Sequence, residues 1–131
     1  MSNLDTDERI EKFLDGVEDL NQKFREDRED FFSKSVVGGR GIENGNEYLK
    51  NGVGPAILLY IGARSKHGIT PITPEQFQNI EDNMNGWLEL YARCHGEEIE
   101  ASFSLREAAV LFIETHNIFD VAQILTRIPE R

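Results

Sequence analysis

Sulfur chemistry is nearly absent from this chain. A single cysteine, Cys94, means that no internal disulfide can staple its 131 residues, which suits a reducing compartment. No apolar run approaches the ~20 residues that a membrane-spanning helix needs. The longest, Ala56 to Ile61, extends only through Gly62 and Ala63. No basic segment followed by an apolar one opens the chain, so no secretory leader is expected, and the reading is a cytoplasmic protein with no membrane partner. Spaced metal ligands are missing too. Cys94, His67, His95 and His116 are the only soft donors, and none falls in a C-x2-C or H-x3-H pattern. No metal and no other cofactor is expected. The last scarcity is positive charge, since 14 Lys and Arg against 24 Asp and Glu leave −10. A chain this acidic repels phosphate backbones unless its basic minority clusters on one face. Nucleic acid is therefore a disfavoured partner, and another protein or a second copy of the chain is the favoured one.

What the sequence does have is helical rhythm. Composition and length fit one globular domain, and the apolar spacing predicts an all-α single-domain bundle. Residues 1–34 read as one long amphipathic helix, regular from Asp5 to Phe32. Ile10, Phe13, Val17, Leu20, Phe24 and Phe31 sit on steps of three and four, and Asp27 interrupts the stripe. In a parallel coiled coil the flanking pairs would be Arg9–Leu14, Gly16–Asn21 and Lys23–Arg28, none of opposite charge. Packing onto the chain's own body, or an antiparallel pairing, is expected instead. The charged run from Arg25 to Asp30 reads as an overhang. It makes Arg25, Asp27, Arg28, Phe31 and Phe32 the candidate interaction face.

Residues 35–54 change character. Six glycines and three asparagines between Val36 and Pro55 predict a loop, with at most one helical turn at Glu47 to Lys50. Gly39-Arg40-Gly41 after Val36-Val37 invites a phosphate-cradle reading. However, a P-loop needs Gly-Lys-Ser/Thr, and the dinucleotide fingerprint needs glycine where Asn44 stands. Arg40, Arg64 and Lys66, in the one net-positive block, are the candidate residues of a small-anion or nucleotide binder.

Residues 55–131 supply the helical core. A buried helix is expected over 55–66, followed by one over 74–95 opened by Thr73, Pro74 and Gln76. Gly86 in its middle marks close approach of another helix. Ile99, Ala101 and Phe103 alternate with polar residues, as in an extended piece. Ser104 and Glu107 then form a capping box for a helix that runs into the turn Thr115-His116-Asn117, and Ile118 to Thr126 forms the second arm of a C-terminal hairpin. His67 and His116 are expected at helix C-termini. The core should draw on Val17, Leu20, Phe24, Ile57, Leu58, Ile61, Phe77, Ile80, Met84, Trp87, Leu111, Phe112, Val121 and Leu125.

Two chemical readings are weighed against this scaffold. Ala108–Glu114, Thr115–Asn117 and Phe119–Leu125 resemble the first two helices of a helix-turn-helix domain, which implies a DNA-binding regulator. The groove-reading helix that should follow Thr126 has only five residues of chain to form it. Cys94 with His95 or His116 is the only candidate nucleophilic dyad, but Cys94 lies on an apolar helix face where an inert thiol is expected. No catalytic residue is assigned. The leading expectation is a non-catalytic protein-interaction or assembly module, such as a small subunit or accessory factor of a larger complex, a viral one included.

Overall fold

Every helix expected from the sequence forms, and so does one where a loop was expected. A computed structural model describes residues 2–34, 42–64 and 72–128. It is an all-α single-domain bundle: α1 (Ser2–Lys34), α2 (Ile42–Tyr48), a π-helical turn (Leu49–Val53), α3 (Gly54–Ala63), α4 (Pro74–Cys94), α5 (Leu105–Thr115) and α6 (Ile118–Thr126), with no strand among the described residues.

The glycine-rich stretch is the main correction. From Ile42 to Ala63 the chain is helical without a break, so residues 42–54 are not a loop. Tyr48, Val53 and Gly54 all keep right-handed helical dihedrals. The π turn, in which the Gly54 amide donates to Leu49 O five residues back, falls just before Pro55. A proline ring inside a helix clashes with the carbonyl four residues behind it, and one wider turn relieves that crowding without ending the helix. The glycines serve packing. A Cβ at Gly52 would fall within the indole of Trp87, and one at Gly45 would sit 3.3 Å from Cys94 Cβ and Tyr91 Cδ1.

Helix α4 is the axle of the bundle, touching every other helix. Its start is the expected capping box: Thr73 Oγ1 accepts from the Gln76 amide at 3.1 Å, and Gln76 Oε1 accepts from the Thr73 amide at 3.0 Å. Trp87 at its centre is fully buried. Phe24 of α1 meets it edge-on, with ring centroids 5.4 Å apart. Gly86 permits this, because a Cβ there would fall within the Phe24 ring. Asp27, the residue that breaks the apolar stripe of α1, accepts the Trp87 indole N–H at 3.0 Å. A buried indole needs such a partner. One turn earlier on α4, Asn83 donates its side-chain amide to Asn21 Oδ1 of α1.

The opposite flank of α4 holds the segment that leads into α5. Ala101 N donates to Glu89 Oε2 at 2.9 Å, and Leu105 N to Glu81 Oε2 at 2.9 Å. Asn85 takes both polar groups of Phe103: its Oδ1 accepts the amide at 2.8 Å and its Nδ2 donates to the carbonyl at 3.1 Å. Residues 81, 85 and 89 are one helical turn apart, so a single ladder of side chains satisfies a backbone that has no strand partner. The segment is neither helix nor strand, and Ser104 at its end has extended dihedrals. At the start of α5 the Ser104 hydroxyl accepts from Glu107 N at 3.2 Å. His116 ends α5 with φ 54°, and Asn117 caps α6 through its side-chain oxygen.

The expected core is mostly in place. Val17, Leu20, Ile57, Ile80, Met84, Trp87 and Val121 are buried, with Phe24, Ile61, Phe77, Leu111, Phe112 and Leu125 packed against them. Leu58 is the exception at 52% exposed. Leu59, its neighbour, is the residue turned toward α1, beneath Gly16, and adjacent positions on a helix cannot share a face.

Candidate functional site

The expected interaction face divides when its residues are placed. Phe31 is buried against Tyr48, with centroids 6.4 Å apart, and belongs to the core. Asp27 is engaged with Trp87 and with Lys23, whose ammonium lies 3.4 Å away. Neither is a free surface group. The stripe's own period explains this, because Phe31 and Asp27 continue the line of Val17, Leu20 and Phe24 toward α4.

Arg25, Arg28 and Phe32 stay on the outside, at the spacing that puts them along one side of α1. Phe32 is 44% exposed. The Arg28 guanidinium lies 5.8 Å from its ring centroid and that of Arg93, from α4, lies 5.3 Å away. Arg93 was not anticipated from sequence. It sits 65 positions from Arg28 by their numbers, and only the crossing of α1 and α4 brings the two to one ring. Glu98 lies 3.6 Å from Arg93 and is itself mostly exposed. An exposed aromatic flanked by guanidinium groups has the composition of a protein-binding hot spot.

Followed toward the N-terminus, the same side of α1 changes sign. Glu11, Leu14 and Glu18 continue the line of Arg25, Arg28 and Phe32 at steps of three, four and seven, and all six are exposed. Leu14 is 43% exposed. Asn21 fills the gap and is partly buried by its bond to Asn83. The stripe thus carries carboxylates in one half, guanidinium groups in the other, and an apolar residue in each.

Of the candidate anion-binding residues, Arg40 and Lys66 lie outside the described residues. Arg64 caps the end of α3, exposed, with its guanidinium 6.0 Å from the Tyr60 ring centroid. Cys94 is half-buried beside Gly45, and His95 leans on the Tyr91 ring at 4.7 Å. Among the described residues no three His, Cys, Asp or Glu side chains gather closely enough to hold a metal ion, and no helix is long and apolar enough to cross a membrane. In the C-terminal hairpin, α6 has Asp120 in its first turn, no basic residue in its last turn, and Ile124 half exposed. That surface offers little to a phosphate backbone.

No curated protein and no solved structure matches the chain. Residues 11–130, nearly its whole length, match one family. The chain belongs to that family, described as Domain of unknown function (DUF8055).

Proposed function

We propose that the protein is a non-catalytic assembly module, a small subunit or accessory factor of a larger complex, that self-associates through the exposed side of α1. The separation of charge along that side carries the reading. Two copies paired antiparallel about a two-fold axis near Asn21 bring Glu18 of each opposite Arg25 of the other. They also set Glu11 near the other copy's Arg28 and Phe32. A parallel pairing would stack arginine on arginine. A two-fold contact is self-complementary, so each favourable pair occurs twice. Exposed ion pairs contribute only about 0.2–1 kcal/mol each. Leu14 and Phe32 supply the apolar contact, while the charges set direction and register.

The test is light scattering coupled to size-exclusion chromatography over a range of salt and protein concentration. The expected result is a dimer that dissociates as salt rises. Arg25→Glu or Glu18→Arg alone should weaken it by roughly a hundredfold, since each reversal acts twice and repels. The Arg25→Glu/Glu18→Arg combination should restore it. A protein that stays monomeric at every concentration rules the reading out, and so does a dimer indifferent to both reversals.

A further inference from the structure

A second site lies at the other end of the bundle, where the C-terminus of α3 meets the N-termini of α4 and α5. Tyr60, Arg64, Thr73, Phe77, Gln78 and Arg106 line a cleft of about 360 Å3 there. Its apolar base is an aromatic pair, with Tyr60 and Phe77 edge to face and centroids 5.6 Å apart. Each ring carries one guanidinium: Arg64 over Tyr60 at 6.0 Å and Arg106 over Phe77 at 5.9 Å. A guanidinium within about 6 Å of a ring is attracted to its face, and its fork of N–H groups suits an oxyanion taken in two-pronged fashion.

What marks this as a site is the absence of a counter-charge. In a chain of net charge −10, no carboxylate of the described residues lines the cleft. Among the described residues neither guanidinium forms an ion pair. Two cations at one cleft repel unless an anion joins them. Thr73 and Gln78 stand at the rim, the first held in the α4 capping box and the second donating to Asp82 at 2.8 Å. The two guanidinium groups are therefore the cleft's polar groups, and a mainly apolar cleft with a few polar groups is the usual form of a small-molecule site.

We propose that the cleft binds a small organic anion, a phosphate monoester or carboxylate carried on a flat aromatic body, with Arg64 and Arg106 on the oxyanion and the body against Tyr60 and Phe77. The test is amide NMR titration of the full chain with phenyl phosphate, inorganic phosphate and phenol in parallel. Phenyl phosphate should shift the amides of Thr73, Phe77 and Gln78. Inorganic phosphate should move the same amides less, and phenol should leave them in place. Arg64→Gln and Arg106→Gln should each weaken phenyl phosphate by about tenfold. Arg106→Lys, which keeps the charge but not the fork, should fall between wild type and Arg106→Gln. No shift in these amides overturns the proposal, as does phenol acting as strongly as its phosphate ester. Binding undiminished in both glutamine variants overturns it too, and inorganic phosphate matching phenyl phosphate removes the aromatic body from it.

Discussion

Two stretches that look irregular in the sequence lean on opposite flanks of α4, and they are held in opposite ways. The π turn and the start of α3 approach Trp87 because Gly52 offers no side chain to obstruct it. The segment from Ala101 to Leu105 is held by side chains reaching out from α4, with Glu81, Asn85 and Glu89 each taking a backbone group. One contact depends on an atom that is missing, the other on atoms that are present. Glycine therefore signals two different things in this chain, and its count alone cannot say which.

The largest effect should come from closing the first gap. Gly52→Ala places a methyl group within the rigid, fully buried indole and should destabilise by about 3 kcal/mol, read as a lower urea midpoint. If stability were unchanged, the close approach would not be what holds the π turn. Next, Asn85→Ala removes both partners of Phe103 and should cost about 2 kcal/mol. Hydrogen exchange should show the loss of protection concentrated at Phe103, where its amide loses the Asn85 oxygen. The smallest effect has the opposite sign. Gly62 lies inside α3, exposed, with nothing among the described residues within 4 Å of a Cβ, so Gly62→Ala should stabilise by about 0.5–1 kcal/mol through helix propensity alone. Thermal melts of the two glycine variants moving in opposite directions would establish that neighbours, not residue type, decide the outcome.

The same contrast explains what could be read in advance. Helices with an apolar period and a start signal are legible: Thr73 with Gln76, and Ser104 ahead of Ala108 and Ala109, are local patterns whose meaning does not depend on the rest of the fold. Gly86 was legible as a close approach because a strong period surrounds it on both sides. Gly45, Gly52 and Gly54 have no such frame, since the asparagines and Pro55 among them carry the usual marks of a loop. What Gly45 and Gly52 do depends on side chains of α4 more than thirty residues away by number, Tyr91 and Cys94 for the one and Trp87 for the other. The candidate surface was half legible. The exposure of Arg25, Arg28 and Phe32 follows from α1 alone, and the stripe's period already turns Phe31 and Asp27 inward, but nothing local reveals the indole awaiting Asp27 or the ring of Tyr48 beside Phe31. Arg93 and Arg106 had no signal at all, each becoming part of a site only through the helix that crosses beside it.

Trp87 is the only tryptophan in the chain. It is shielded completely, abuts the π turn at Gly52, and receives both Phe24 and Asp27 from α1. The protein therefore carries an intrinsic fluorophore at the seam between its longest helix and its least conventional one. Undocking of either would wet the same ring and redden the same emission, so one optical signal follows the joining of both.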